Sequence, residues 1–429
     1  VSAIAHPPCL ERAETRPCLR ARVAHRVARH LMRDIPTTVH VTAGGAWDEE
    51  TLGRGGPAEA TAEAPREPQI EIFRPGAFFA RLGHQPKIGF GEAYMAGDWR
   101  PAPGVDLSDA LAPFASHLAT ARPGMLQRVR TFVEARVPRR QRNTLPGSRR
   151  NIEAHYDLSN DLFQAFLDPS LTYSSALFDD SRPWSDQSLE EAQMRKVDTA
   201  LDRAGVGPGT RLLEIGTGWG TLAIRAAQRG AHVTTLTLSK EQAALAMERA
   251  RAAGVDDRIH LRLQDYREVD GAYDAIVSIE MIEAVGDQYW QTYFDAIDRL
   301  LAPRGTAVVQ AILMSHERYL ATRRSYSWIQ KHIFPGGIIP SVTAIERCVS
   351  RTSMDVTEWQ HFGSSYAETL LRWRRTFEAE WERIRGFGFD EEFKRMWEFY
   401  LAYSRSGFVT GYLDVAQLLL AKNRTKETG

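Results

Sequence analysis

From about residue 205, apolar runs alternate with stretches of helical spacing. Residues 210–215 form a short apolar run that predicts a strand, and 221–229 predict a helix. A second strand and helix follow at 232–238 and 240–253, then strands at 259–263 and 275–279, a helix at 289–301 and a strand at 306–314. Such alternation implies an α/β fold, a doubly wound sheet with both faces covered. Residues 316–429 are expected to be mainly helical and rich in aromatics, with helical spacing at 377–384 and 393–403.

Upstream the pattern differs. Leu19, Val23, Val27 and Leu31 recur every four residues, among Arg16, Arg20, Arg22, Arg26, Arg29 and Arg33. Residues 1–42 are therefore expected to hold a basic amphipathic helix, packed on the next domain or laid on a membrane surface. Residues 43–68, rich in Gly, Ala, Pro and Glu, are expected to be a flexible linker. Residues 69–121 resume apolar patterning, with a short strand at Ile70, Ile72 and Phe73 and a helix at 77–82, and are expected to form a small α+β N-terminal domain. The segment 122–150 holds nine arginines and one acid, Glu134, so its local charge is 9 − 1 = +8. Met125, Val129, Phe132, Val133 and Val137 share one helical face. Such a segment either lies on an anionic leaflet or is a solvated linker. Nucleic acid is not an expected partner, because no stacking aromatics interleave the arginines. Residues 151–429 are expected to form the main domain.

Composition refines this picture. The 429 residues carry 54 basic and 54 acidic side chains, a net charge of zero that argues against a globally basic nucleic-acid binder. Cys9, Cys18 and Cys348 are too scattered for a disulfide framework or a zinc site, so a reducing, cytoplasmic setting and no metal are expected. No apolar run reaches the roughly 18–20 residues of a spanning helix, and no secretory core is seen. Work on lipid is then expected from the inner face of the membrane, by a peripheral protein.

The strongest motif is Leu212-Leu-Glu-Ile-Gly-Thr-Gly-Trp-Gly220. Gly216, Gly218 and Gly220 follow a strand and precede a helix, where a ligand must approach backbone with no Cβ in the way. The G-x-G-x-G spacing directly after Glu214 differs from the dinucleotide G-x-G-x-x-G. It resembles the S-adenosylmethionine loop of class I methyltransferases, in which the acid helps position the amino-acid part of the cofactor. Thr237, Leu238 and Gln242 end the second strand, with Gln242 suited to ribose hydroxyls. Asp265 and Tyr266 end the third, with Asp265 suited to the adenine amino group.

Four further segments add a specific resemblance: 155–163 (HYDLSNDLF), 171–178 (LTYSSALF), 277–286 (VSIEMIEAVG) and 333–341 (IFPGGIIPS). With the glycine loop, they resemble the cyclopropane-fatty-acyl-phospholipid synthase family, including mycolic acid cyclopropane synthases, from about residue 69 to about 420. The resemblance implies a class I methyltransferase sheet with a helical cap insertion and a lipid-associated N-terminal domain. It implies methyl transfer from S-adenosylmethionine to the cis double bond of an acyl chain on membrane phospholipid, and dimers are common in the family. Tyr173 and Ser174 would close over the cofactor. Glu283 and Tyr366 would hold a bicarbonate ion that acts as base, with Ser175, Glu280, Gln310 and Ile312 completing its pocket.

The chain departs from the family pattern in that pocket. Ser175 and Ser404 stand where Cys is common, Gln310 where His is found, and Glu283-Ala284 where Glu-His is common. Replacing His by Gln keeps hydrogen bonding but removes an ionisable group. Either a cyclopropane or a methylene-branched product is therefore open, the latter a substrate for a separate reductase. A small-molecule N-, O- or C-methyltransferase of the same fold is the alternative enzyme reading. A non-catalytic cofactor-binding scaffold is the third, disfavoured by the intact loop with Glu283 and Tyr366.

Overall fold

The computed structural model describes residues 17–53, 69–120 and 159–423, with isolated positions 10, 138, 143, 144 and 147. Most of the basic segment 122–150, and residues 155–158 of one family-like motif, lie outside the described residues. The chain divides into two compact units: residues 1–136, 324–333 and 388–412, and residues 137–323, 334–387 and 413–429.

In the first unit, strands β1 (Thr38–Val41), β2 (Glu50–Gly53), β3 (Ile70–Ile72) and β4 (Trp99–Pro101) form a sheet of order β2-β1-β3-β4. The linker expected at 43–68 therefore contains a strand. Trp47, just before it, is buried and stacks on Phe79 at 5.1 Å. Burying an aromatic ring offsets the ordering cost of the Gly- and Ala-rich chain around it. The helices Trp328–His332 and Glu391–Val409 also belong to this unit, with Trp328 edge-on to Phe399 at 4.8 Å. The unbroken 151–429 domain expected from sequence is thus divided otherwise. The apolar face of the late helix completes a core begun some 300 residues earlier, which sequence order does not announce.

The second unit is built on a seven-stranded sheet of order β10-β11-β9-β8-β5-β6-β7. Its strands are β5 (Arg211–Ile215), β6 (His232–Thr237), β7 (Ile259–Leu263), β8 (Tyr273–Ile279), β9 (Leu301–Met314), β10 (Met354–His361) and β11 (Leu413–Lys422). The five from β9 to β7 are parallel, and β11 and β10 are antiparallel additions. The helical reading of 316–429 is corrected at β10 and β11. β11 lies between two strands, and its apolar run Leu418-Leu-Leu420 lacks the alternation that separates strand from helix.

Alternation within the strands sorts side chains to the two faces. Leu213, Ile215, Ile276, Ala307, Val309, Ala416 and Leu418 join one core cluster, under the helix Trp290–Leu300. Leu212, Val277 and Val308 join the other, with Val197 and Leu201 of the helix Leu189–Arg203. Glu214, Gln310 and Gln417 have the parity of this second face, so three polar side chains are directed into one buried layer beneath the helix Leu189–Arg203.

Candidate active site

The glycine loop follows β5 and precedes the helix Thr221–Gln228. Gly216, Gly218 and Gly220 have φ of +103°, +52° and +88°, backbone that L residues rarely adopt. A Cβ on Gly216 would lie 2.6 Å from Met281 Cγ, and one on Gly220 3.0 Å from the Ala246 Cβ. One on Gly218 would meet nothing within 4 Å. Two glycines are thus needed for packing, while the middle one borders open space, as a cradle for the nucleoside requires.

Glu214 is buried and accepts from Thr235 Oγ1 at 2.5 Å, and Thr235 in turn contacts Thr217 Oγ1 at 2.6 Å. Burial pushes the Glu214 carboxyl up to about 8, against the pull of Thr235 and of the Lys196 charge. Thr237 donates to Gln242 Oε1 at 2.9 Å, which fixes the amide so that its N–H groups are the donors a ribose could use. Leu238 links β6 to Ser239, the cap of the next helix. Asp265 is buried and takes two bonds of 2.7 Å from the Arg267 guanidinium, so its charge is balanced within the protein. Its remaining lone pairs are what an adenine amino group can use. Tyr266 is buried beside it. These residues surround the carboxyl ends of β5, β6 and β7, where open α/β sheets bind ligands, and they fit S-adenosylmethionine.

The segment Tyr173-Ser-Ser175 is held from two sides. Tyr173 packs against Phe163 at 5.1 Å and Trp373 at 5.2 Å. Ala176 N–H donates to Thr369 at 3.1 Å and Phe178 N–H to Ser365 at 3.1 Å, both on the helix Gly363–Ala379. The Ser174 hydroxyl accepts from Lys196 Nζ at 2.6 Å, and the Ser175 hydroxyl donates to its neighbour's carbonyl at 2.9 Å.

Glu280 is the centre of the predicted anion pocket rather than part of its wall. Its carboxylate accepts from Ser175 N–H at 2.9 Å, Gln310 Nε2 at 2.8 Å and Tyr366 Oη at 2.7 Å. Its backbone is left-handed (φ +51°), which ends the alternation of β8 and turns the side chain into the donors. Strain of this kind in a non-glycine residue clusters at functional sites. The donors that the family resemblance assigned to bicarbonate are therefore engaged by a carboxylate of the chain itself. The Ile312 N–H is likewise engaged by Glu283, so these residues leave a bicarbonate ion none of the donors assigned to it and do not fit it.

Glu283 stands on the turn Ile282–Val285, and its Oε1 accepts from Ile312 N–H at 2.5 Å. Its Oε2 is buried and has no hydrogen-bond partner among the described residues. Burial, then the nearby Glu280 charge, pushes it up to about 8. Burial also raises Glu280, opposed by Tyr366, the Ser175 N–H, Lys196 and Gln310. Two close buried carboxylates whose environments differ are a recurrent acid–base arrangement.

Sequence reading missed two members of this site. Lys196, fully buried at 1% exposure, holds its charge among Glu280, Asp168 and Glu214, and desolvation lowers it to about 8. Gln417, on β11, donates to Gln310 Oε1 at 3.2 Å and to the Lys196 carbonyl at 3.3 Å. It fixes the Gln310 amide so that its NH2 faces Glu280. The available signal was Gln193 and Lys196 on the apolar face that also carries Ala192, Val197, Ala200 and Leu201.

Known proteins resemble this chain in sequence and in fold. A family model described as mycolic acid cyclopropane synthetase matches residues 144–418. The tuberculostearic acid methyltransferase UfaA1 of Mycobacterium tuberculosis is 47% identical over 367 residues, 84% of this chain and 85% of that protein. The cyclopropane-fatty-acyl-phospholipid synthase of Escherichia coli is 33% identical over 387 residues, 87% of this chain and 92% of that protein. The crystal structure of mycolic acid cyclopropane synthase CmaA1 complexed with SAH and CTAB superposes with a TM-score of 0.59 at 32% identity, covering 64% of this chain and 98% of that one.

Proposed function

The chain belongs to the mycolic acid cyclopropane synthetase family, and from that premise we propose that it methylates the cis double bond of a phospholipid acyl chain to give a methylene-branched product. It is an S-adenosylmethionine-dependent C-methyltransferase. The cofactor supplies, when bound, an electrophilic methyl group. The protein's part in the first step is alignment, which removes much of the barrier when the reacting atoms are held in line. The glycine loop, Glu214 and Gln242 would hold the nucleoside and amino-acid parts, and Tyr173 and Ser174 would cover them.

The alkene π pair forms the new carbon–carbon bond, the methyl–sulfur bond breaks with its electrons left on sulfur, and positive charge appears on the adjacent acyl carbon. The Glu280 carboxylate stabilises that charge where water is excluded. A hydride then shifts from the methylated carbon to its neighbour. Glu280 accepts one proton from the new methyl group, and the C–H pair becomes an exocyclic double bond. Prompt proton loss without the shift would close a ring instead. Three donors spread the charge of Glu280, and its tether limits its reach. Both features favour the delay that the shift needs.

The observation supporting this reading is the convergence of Ser175, Gln310 and Tyr366 on Glu280. The 47% identity to a protein named as a tuberculostearic acid methyltransferase supports methyl transfer to a fatty acyl chain as well. A methylene branch is also the kind of product that a separate hydride-donating reductase would convert to a methyl branch. The test is expression in a host fed oleate, with mass and proton NMR analysis of the phospholipid fatty acids. A gain of one CH2 with vinylidene signals is expected. High-field cyclopropane protons without vinylidene signals would overturn the methylene assignment.

A further inference from the structure

Ten large hydrophobic side chains are well exposed among the described residues, and four of them lie on one helix. In the helix Leu19–Leu31, Leu19 is 70% exposed, Val23 49%, Val27 50% and Leu31 51%. Single exposed apolar residues are ordinary, but a continuous stripe marks an interaction surface. The stripe is not the face by which the helix packs. That face carries Ala21, which is fully buried, and His25, whose ring is edge-on to Trp47 at 5.3 Å and to Phe79 at 4.8 Å. The backbone there is close enough that a Cβ on Gly83 would lie 2.6 Å from the Arg20 carbonyl oxygen.

At about 100° per residue, Arg22 and Arg26 stand directly beside the stripe, with Arg29, ion-paired to Glu50 at 2.6 Å, in the same row. The helix sequence LRARVAHRVARHL contains no acidic residue. Exposed apolar side chains bordered by arginines match the two layers of an anionic bilayer, acyl boundary and headgroup. A protein partner would have to present an apolar groove edged by acids. We infer that the exposed face of the helix Leu19–Leu31 docks on an anionic lipid surface, lying in the headgroup plane. The inference rests on the lipid-substrate reading above and extends it from the chemistry to a docking surface.

Co-sedimentation of the full chain with vesicles of fully saturated phosphatidylglycerol or phosphatidylcholine tests it, because neither offers a double bond to methylate. Binding to the anionic vesicles, little to the neutral ones, and weakening by salt are expected. Replacing Val23, Val27 and Leu31 by Ser is expected to lower partitioning at least tenfold. R22Q with R26Q is expected to lower it roughly 30-fold, at about 1 kcal/mol per basic residue. Both variants keep wild-type thermal stability and wild-type methylation of detergent-dispersed oleoyl phospholipid.

Absent wild-type binding, equal binding to neutral vesicles, or undiminished binding by both variants would overturn the inference. So would a change of mass in light scattering for the Ser variant, which would show a second copy of the chain covering the stripe. Loss of methylation in detergent by the wild type, with anionic binding intact, would instead remove the catalytic reading and leave the docking surface standing.

Discussion

Lys196 Nζ donates to Ser174 Oγ at 2.6 Å, and this joins the segment Tyr173–Ser175 to the buried carboxylates beneath it. The lysine lies among Glu280, Asp168 and Glu214, whose charges hold it protonated against the cost of burial. Lys196→Met keeps most of the volume and removes the charge. It is expected to cut the methylation rate at least a hundredfold, about 2.7 kcal/mol of barrier. Because the Lys196 charge lowers Glu280, its loss also moves the acidic limb of the rate–pH profile to higher pH. A slower enzyme with an unmoved limb would show that Lys196 only fills space.

Glu280→Gly separates an internal base from a captured one. Glycine accepts the left-handed backbone at this position without strain and frees the Ser175, Gln310 and Tyr366 donors. The wild type is expected to be indifferent to bicarbonate. The variant is expected to be nearly inactive in carbonate-free buffer and partly restored when bicarbonate is added. A wild type that loses activity on bicarbonate removal would reject the role given to Glu280.

Glu283 links stability to pH. Its carboxyl is raised in the fold to about 8, so the native state binds a proton that the unfolded chain releases near pH 4.5. Stability from this group is complete below that value and declines as pH rises toward 8, by up to about 1.4 kcal/mol per pH unit. Glu214, also raised to about 8, acts in the same direction. Lys196, lowered from 10.5 to about 8, acts oppositely above pH 8. Urea midpoints measured from pH 5 to pH 8 should fall less steeply for Glu283→Gln than for the wild type.

The glycine loop separates packing from binding. Gly216→Ala forces its Cβ against Met281 at φ +103° and is expected to lower stability by about 2 kcal/mol. Gly218→Ala has open space around the new methyl and only a left-handed backbone penalty of about 1 kcal/mol. Its main effect is expected on the ligand, with at least a tenfold rise in the S-adenosylhomocysteine Kd by calorimetry. An unchanged Kd would place the nucleoside elsewhere.

Much of the fold was legible because the signal was local. The runs that became β5 to β8 keep their expected bounds to within two residues, since turn residues and apolar runs mark both ends, while β9 begins five residues earlier than expected, at Leu301. The glycine loop, Glu214 and Gln242 were legible for the same reason. β10, β11 and the assignment of the helix Glu391–Val409 to the first unit were not. Each depends on a partner far along the chain, and a short apolar segment has the same appearance whether a strand or a helix buries it.

The site divides along the same line. The sequence by itself determined which chemical groups are present: the cofactor loop, two glutamates three residues apart, a tyrosine, and a glutamine where an ionisable side chain is common. Only the tertiary structure decided their roles. Strand parity directs Glu214, Gln310 and Gln417 into one layer, the helix Leu189–Arg203 brings Lys196 over it, and one left-handed residue turns Glu280 into the donors. Whether a carboxylate lines an anion site or fills it depends on backbone angles and on neighbours from four separate segments, and spacing along the chain encodes neither.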